Sequence, residues 1–254
     1  MNNKKITKIL NFIKTTFQKQ MFTKAVIALS GGLDSSTCLM LLAKSLGPKN
    51  VVVLKMPYEA QDMSHADLML KLAKIPPHNI VEINIAPIVK SFLSTISYQL
   101  SAISNVRLGN IMVRVRMILT YDLAKAKQAL VCGTENRSEY LLGYFTLFGD
   151  QAADFSPIQH LYKTQVRQLA GYLKVPQTII SKPATAGLWR SQTDEKELGF
   201  SYQEADQVLH SLLDEKLPID QMLKKGLKKE VIIKVLTRVK ANLYKHQIPY
   251  LLTN

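Results

Sequence analysis

The chain has 254 residues, 47% of them hydrophobic, and a formal net charge of +14 that arises from 33 Lys and Arg against 19 Asp and Glu. This length and composition predict one large hydrophobic core. No apolar run approaches the roughly 20 residues that span a bilayer, so we expect no membrane partner. The charge is compatible with nucleic acid, an anionic membrane surface or polyanionic small substrates, and its sign alone does not choose among them.

The N-terminal segment KKITKILNFIKTTFQK is predicted to form an amphipathic helix. Its apolar residues recur on one helical face, namely Ile6, Ile9, Leu10, Ile13 and Phe17. The segment is too rich in lysine to be the apolar core of a signal peptide.

A short strand, a polar loop and a helix are predicted next. Val26, Ile27 and Leu29 form a β-branched-rich run that is typical of a strand covered on both faces. Apolar residues at helical spacing then continue to Gly47-Pro48, a common helix end. The loop between them lies at the carboxyl end of the strand and also opens the helix.

That loop reads SGGLDSS and occupies residues 30–36. Its glycines let the backbone approach a ligand closely, and the unpaired N–H groups of a helix start attract anions. These properties predict a phosphate site. The structural alternative is a tight turn in which Asp34 or Ser35 is the N-cap of the helix.

Further strands are predicted within residues 50–56, 79–85 and 128–134, with helical patterns between them. Alternating strands and helices predict parallel strands joined by right-handed crossovers, and ligands bind beyond the carboxyl ends of such strands. The predicted fold class is α/β, a doubly wound parallel sheet of Rossmann-like type, in a single domain over residues 1–254. From Gln192 onward we expect helices beside the sheet.

The two cysteines, Cys38 and Cys132, lie far apart in apolar surroundings and belong to no C-x-x-C pair. Free cysteine in such surroundings usually packs as a small hydrophobe. A reducing compartment fits this usage, and we expect a cytoplasmic protein.

The SGGLDSS loop lacks the Lys-Ser/Thr of a Walker A loop. It resembles the pyrophosphate loop of the N-type ATP pyrophosphatases, which have the adenine nucleotide alpha hydrolase type of fold and split ATP between its α and β phosphates. The resemblance implies that Asp34 ligates Mg²⁺. It also implies that the leaving pyrophosphate is held by Ser30, Gly31, Gly32, Ser35 and Ser36.

A closer resemblance covers nearly the whole chain from Lys24 to about Lys245. The segment GTENRSEYLLGYFTLFGDQAADFSPIQHLYKTQVRQLA at 133–170 is similar to bacterial ammonia-dependent NAD⁺ synthetases, as are GNIMVRVRM at 109–117, KPATAGLW at 182–189 and QTDEKELGFSYQEAD at 192–206. The resemblance implies that ATP, a co-substrate, adenylates the carboxylate of deamido-NAD and releases pyrophosphate. Ammonia then displaces AMP and forms the amide of NAD⁺.

The family positions imply how ATP and metal are held. Glu139 would be the second Mg²⁺ ligand, Thr134 and Thr185 would contact ATP, and Lys163 would reach its phosphates as a catalytic residue. The structural alternatives are a solvated acid near a helix start for Glu139 and a solvated helix-start residue for Lys163.

The family positions also imply a site for the dinucleotide. Arg114, Asp154 and Lys245 would bind deamido-NAD, and Asp150 is a candidate for accepting a proton from ammonium or from the attacking ammonia. For Arg114 the alternative is a surface salt bridge. The neighbouring aromatic residues could stack on the nicotinate ring, although we favour core packing for all three: Tyr144, Phe145 and Phe148.

Three positions depart from the family pattern, and one of them is Tyr244-Lys245, which stands where a His-Lys pair is common. Leu147 stands where many members carry a lysine that touches the dinucleotide. Lys55 stands where an arginine often stacks near adenine, and lysine is a poorer planar stacker.

Two other functions remain open from sequence. One is another N-type ATP pyrophosphatase, such as a tRNA-modifying enzyme, which the positive charge would suit. The other is a non-catalytic nucleotide-binding protein. The resemblance favours the synthetase, with no nucleic-acid partner, and implies a homodimer whose interface lies at or near the helix of Arg114 and Arg116.

Overall fold

The structure is a computed structural model that describes residues 3–96, 103–189 and 191–246. No helix within these ranges is both long and apolar enough to cross a bilayer. The strands are β1 (Lys24–Ala28), β2 (Val51–Lys55), β3 (Ile80–Glu82) and β4 (Ala129–Val131). The helices are α1 (Asn3–Gln20), α2 (Leu33–Leu46), α3 (Ser64–Leu72), α4 (Ala86–Ile96), α5 (Asn105–Lys127), α6 (Arg137–Leu142), α7 (Lys163–Tyr172), α8 (Gln177–Ile180), α9 (Asp194–Leu198), α10 (Tyr202–Leu213), α11 (Ile219–Lys224) and α12 (Lys229–Asn242).

The four strands form one parallel sheet in the order β3-β2-β1-β4. β1 lies inside the sheet, where Val26 is in register with Val52 of β2 and with Val131 of β4. The predicted parallel sheet is therefore confirmed, and the first strand has a neighbour on each side.

Helices cover both faces of the sheet. Alternate residues of β1 point to opposite faces, so Ala25 and Ile27 pack in the cluster that contains buried residues of α1, α2 and α7. Val26 packs on the other face with Ala124 of α5. The doubly wound prediction is confirmed, and burial on both faces explains why β1 is an uninterrupted apolar run.

β3 and β4 are shorter than the sequence pattern predicts. The hydrogen-bonded ladder nevertheless continues past them, because Ile83 N–H donates to the carbonyl of Lys55 at 2.9 Å and Cys132 N–H donates to that of Val26 at 2.9 Å.

The chain order creates a switch point between β1 and β4. From β1 the chain moves outward to β2 and β3, and it then crosses back to form β4 on the other side of β1. Connections after β1 and β4 therefore diverge, which opens a crevice at their carboxyl ends. The loop 30–36 and the segment 132–139 both lie there.

The N-terminal helix α1 packs on the sheet side that carries α2. It buries Ile6, Ile9, Ile13 and Phe17, with Leu10 partly buried, as its sequence stripe predicts. The Phe17 ring meets the ring of Phe155 edge-on, with centroids 5.1 Å apart.

The C-terminal helices form a second hydrophobic cluster beside the sheet. Leu142 of α6, Tyr202 and Leu209 of α10, and Ile232 and Val235 of α12 are buried in it. This arrangement confirms the predicted helices after Gln192. In the same arrangement α10 and α12 pack against α6, and α10 packs against α7. The N-terminal ends of α6 and α7 face the crevice.

Candidate active site

The SGGLDSS loop is tightly wound at the start of α2. Gly31 has a φ of +75°, and a Cβ atom there would lie 2.7 Å from the amide nitrogen of Ala66. The Ser30 hydroxyl accepts a hydrogen bond from Gly32 N–H at 3.2 Å and lies 3.0 Å from the Ser35 hydroxyl. Gly31 is therefore required twice, for its left-handed backbone and for the close approach of α3.

The N-cap alternative for this loop is wrong. α2 begins at Leu33, its N-cap is Gly32, and no side chain caps it. Asp34 and Ser35 are the second and third residues of α2 and lie inside its first turn. The Asp34 carboxylate does not cap the helix and instead accepts a hydrogen bond from Lys163 Nζ at 2.6 Å in the crevice.

We expect Gly31→Ala to weaken ATP binding by about tenfold or more, because a side chain strains the left-handed backbone and collides with α3. Gly32→Ala is the matched control, since its φ of −77° suits any residue and the added Cβ would meet only the Ser30 hydroxyl at 3.3 Å. Calorimetric titration with ATP measures both. Equal losses in the two variants would contradict the geometric reason.

Three residues from separate elements meet in the crevice. Lys163 Nζ lies 2.6 Å from Asp34 Oδ2 and 2.9 Å from Glu139 Oε1. Lys163 is only 3% exposed. The structure thus brings together the predicted metal ligands and the predicted phosphate lysine, and the solvated-residue alternatives for Glu139 and Lys163 are wrong.

The charges in this cluster depend on one another. Burial disfavours the ammonium form of Lys163, but the carboxylates of Asp34 and Glu139 outweigh burial and raise its pKa. Burial also raises the pKa of Glu139, and Lys163 opposes that rise. The lysine therefore stays charged, and it offsets the repulsion between two acids held in one crevice.

Local hydrogen bonds fix Glu139. Asn136 is the N-cap of α6, and its side chain and Glu139 form a capping box, with the Glu139 N–H donating to Asn136 Oδ1 at 3.1 Å. Asn136 Nδ2 also donates to Asp34 Oδ1 at 3.0 Å. One asparagine thus orients both predicted metal ligands.

A second set of hydrogen bonds fixes Lys163. Its backbone N–H donates to the Ser138 hydroxyl at 2.9 Å, and that hydroxyl donates to Asp206 of α10. Asp206 also accepts from Thr164 N–H at 2.8 Å. The Tyr202 ring centroid lies 5.0 Å from Lys163 Nζ. The start of α7 is therefore held from behind by α10.

Sequence reasoning missed the supporting residues Asn136, Ser138, Asp206 and Tyr202 as part of the site. Each lies inside a quoted family segment, and the N-x-x-E spacing of Asn136 and Glu139 was the available signal for a capping box. The contact of Ser138 with Asp206 joins residues far apart in sequence, and no local pattern indicates it.

The turn around residues 146–150 forms a neighbouring part of the site. Asp150 Oδ1 accepts from Thr146 N–H at 2.8 Å. Arg114 donates from Nη2 and Nε to the carbonyl of Leu147 at 3.0 and 3.3 Å. Arg114 and Asp150 are therefore brought to one turn, and within residues 3–96, 103–189 and 191–246 Arg114 donates to a backbone carbonyl rather than forming the predicted alternative, a salt bridge.

Lys245 holds the segment just before that turn. Its Nζ donates to the carbonyls of Gly143 at 2.6 Å and Phe145 at 2.8 Å. Phe145 is buried, and the Tyr144 hydroxyl donates to Glu197 at 3.1 Å. Phe148 is 59% exposed, so the prediction of core packing is wrong for this residue. Phe148 has a positive φ of 57° in the turn.

Asp154, Thr185 and Lys55 make hydrogen bonds or ion pairs with residues outside the Asp34–Lys163–Glu139 cluster. Asp154 accepts from Val131 N–H at 2.7 Å and so borders β4. Thr134 lies three residues after the end of β4, in the segment between β4 and α6. Thr185 is exposed and accepts from Gly187 N–H at 3.0 Å. Lys55 is buried, and its Nζ pairs with Asp67 at 2.6 Å and with Glu82 at 2.5 Å.

Comparison with known proteins identifies the family of the chain. The model of the NAD synthase family matches residues 5–249. The NH(3)-dependent NAD(+) synthetase of Thermococcus kodakarensis is 43% identical over 246 residues, which cover 96% of this chain and 94% of that protein.

Two solved structures have the same fold over their full length. The NH3-dependent NAD synthetase of Campylobacter jejuni matches with a TM-score of 0.81 and 30% identity, covering 100% of both chains. The NMN synthetase of Francisella tularensis matches with a TM-score of 0.84 and 30% identity, covering 99% of this chain and 98% of that one. The family match, the identity and the shared fold all extend over nearly the whole chain, and the chain belongs to the NAD synthase family.

Proposed function

We propose that the chain catalyses the ATP-dependent amidation of deamido-NAD by ammonia. The substrate carboxylate attacks the α phosphate of ATP, pyrophosphate leaves, and ammonia then displaces AMP to form NAD⁺. The observation that carries this proposal is the position of Lys163 Nζ between Asp34 and Glu139, next to the SGGLDSS loop, in a chain of the NAD synthase family.

The loop and the lysine bind and orient the leaving group. The start of α2 offers backbone N–H groups, and the fully buried Ser36 hydroxyl has no hydrogen-bond partner within the described residues, so it is available to a phosphate oxygen. Lys163 supplies a fixed positive charge where negative charge builds up on the leaving pyrophosphate. The crevice is thus arranged to favour cleavage between the α and β phosphates.

We propose Mg²⁺ as the metal, held by Asp34 and Glu139. Mg²⁺ takes one or two carboxylates together with phosphate oxygens and water. The donor set fits this habit, because both carboxylates lie within 2.9 Å of the same positively charged Lys163 Nζ. Bound there, the ion would neutralise charge on the ATP phosphates.

We assign the remaining predicted residues to the same reaction. Thr134 and Thr185 would contact ATP. Arg114, Asp154 and Lys245 would bind or shape the dinucleotide site, and the hydrogen bonds of Lys245 to the 143–145 segment support a shaping role. Asp150 would accept a proton from the nitrogen nucleophile.

The direct test of the activity is pyrophosphate release from ATP in the presence of ammonium and Mg²⁺. We expect release with deamido-NAD and none with tRNA or without an acceptor. Release that requires tRNA would support the tRNA-modifying alternative, and ATP binding without release in any reaction would support the non-catalytic one.

A mononucleotide is the second candidate substrate. The resemblance to the Francisella tularensis NMN synthetase supports it, as does Leu147, an apolar residue where a lysine would contact the dinucleotide. Competition between nicotinate mononucleotide and deamido-NAD at equal concentration separates the two. We expect deamido-NAD to have the higher kcat/KM.

We also propose a homodimer in the cytoplasm. The neighbouring helices α4 and α5 carry large exposed apolar residues, among them Phe92, Val106 and Ile118. Both cysteines are free and buried, which suits a reducing compartment. Light scattering should give the mass of two chains, and Ile118→Asp should shift it toward one. A monomeric wild type at micromolar concentration would contradict the dimer.

A further inference from the structure

Glu135 is a buried acid that the proposed chemistry does not use. It lies between β4 and α6, in the segment that enters the crevice, and is only 8% exposed. Its Oε2 accepts a hydrogen bond from Gln159 Nε2 at 3.1 Å. Its Oε1 is buried and has no hydrogen-bond partner among the residues that the structure describes.

An unpaired carboxyl oxygen in the interior is costly, so it indicates a missing partner. The charged groups that act on Glu135 are Glu139, Asp150 and Lys245, two acids and one base. Lys245 already donates to two backbone carbonyls. The surroundings of Oε1 therefore favour a small cation that donates hydrogen bonds.

We propose that Glu135 binds the ammonium ion that supplies the amide nitrogen and takes one proton from it. This inference rests on the proposed function. The step is balanced: the carboxylate and ammonium become the carboxylic acid and ammonia, the nitrogen lone pair is freed, and ammonia attacks the acyl adenylate. The additional proton that is lost on amide formation goes to a second acceptor, the role proposed for Asp150.

The protonation of Glu135 agrees with this role. Burial raises its pKa to about 8, helped by Glu139 and Asp150 and opposed by Gln159 and Lys245. The acid is thus mostly protonated at neutral pH, and an arriving ammonium ion replaces that proton. The raised pKa makes the carboxyl group a proton acceptor suited to near-neutral conditions.

The binding test uses ammonium alone. Ammonium chloride should raise the melting temperature of the wild type at about pH 8 relative to tetramethylammonium chloride at equal ionic strength. Glu135→Gln should abolish this rise, whereas Glu230→Gln, which changes an exposed acid on α12, should keep it. If a buried water is the only partner of Oε1, ammonium produces no specific rise, and the proposal is wrong.

The kinetic test compares the half-reactions. Glu135→Gln should leave the deamido-NAD-dependent exchange of pyrophosphate into ATP within about twofold of wild type, and should raise KM for ammonium about tenfold or more. Glu135→Asp, which keeps a carboxylate, should recover part of the loss. Equal losses in exchange and in amide formation would overturn the proposal.

The pH dependence is the sharpest readout. In the wild type the reactive pair is carboxylate plus ammonium, so kcat/KM for total ammonium should level off near pH 8, the pKa of Glu135. In Glu135→Gln only free ammonia from solution reacts, and kcat/KM should keep rising. The ratio of the wild-type kcat/KM to that of Glu135→Gln should therefore be constant below about pH 8 and should decrease above it. A ratio that does not change with pH contradicts proton transfer to Glu135.

Amide formation tests the proposed function, whereas the ammonium-specific rise in melting temperature and the kinetics of Glu135→Gln test the ammonium site. If wild-type protein makes no amide but shows the ammonium-specific rise, ammonium binding stands and the function fails. If it makes the amide, with Glu135→Gln unchanged in KM and pH profile, the function stands and the inference fails.

Discussion

Asp34→Asn and Glu139→Gln are each expected to lower turnover by about 10²–10³-fold while leaving the protein folded. Both acids reach the same Lys163 nitrogen, and both are proposed to hold one Mg²⁺ on the ATP phosphates. Removing either one removes most of the metal's contribution. The measurement is pyrophosphate release at saturating ATP, deamido-NAD and ammonium across a Mg²⁺ titration.

The double variant tests whether the two acids act as one unit. Its loss should be much smaller than the product of the single losses, because the metal can be lost only once. Asp220→Asn and Glu230→Gln, on exposed positions of α11 and α12, control for the loss of an acid elsewhere. Wild-type turnover and Mg²⁺ dependence in Asp34→Asn would refute the metal assignment.

Lys163→Met is expected to abolish measurable turnover and to lower the free energy of unfolding by about 3–5 kcal/mol. The variant leaves Asp34 and Glu139 facing each other without the cation that joins them. Adding Asp34→Asn and Glu139→Gln should restore most of the stability, because the uncompensated charges are gone, but none of the turnover. Urea unfolding measures the stability, and pyrophosphate release measures the turnover.

The same variant separates electrostatics from loss of packing. Lys163→Met should bind Mn²⁺ without ATP more tightly than the wild type does, since the lysine no longer competes for the two carboxylates. If the triple variant is as unstable as Lys163→Met, lost packing rather than charge explains the effect. Unchanged Mn²⁺ affinity would show that the lysine does not occupy the metal position.

The fold could be predicted because its signals are local. Apolar runs of strand length alternate with helical stripes, and the run that contains Val26 and Ile27 is uninterrupted because both faces are covered. The ends of β3 and β4 could not be predicted, because the length of a strand depends on its pairing with the neighbouring strand, and the local sequence does not contain this information. The exposure of Phe148 could not be predicted for a related reason. It depends on the path of the turn, in which Phe148 has a positive φ, and the composition of the segment does not indicate that path.

The site was predictable only in part. Asp34, Glu139 and Lys163 were identified through family positions, and the switch point between β1 and β4 explains why they meet. The support of Lys163 by Ser138 and Asp206 could not be predicted, because it depends on the packing of α10 against α7. The role of Glu135 could not be predicted either, because a glutamate in a polar loop is normally exposed to solvent. Only the structure shows that its Oε1 is buried, with no hydrogen-bond partner among the described residues.

We propose that the crevice between β1 and β4 adenylates a carboxylate before ammonia attacks it. Deamido-NAD labelled with ¹⁸O in its nicotinate carboxylate tests this directly by mass spectrometry of the nucleotide products. We predict one ¹⁸O atom in AMP and none in pyrophosphate, with AMP, pyrophosphate and NAD⁺ formed in equal amounts. Formation of ADP, or AMP without the label, would contradict the adenylated intermediate and the assignment of the site.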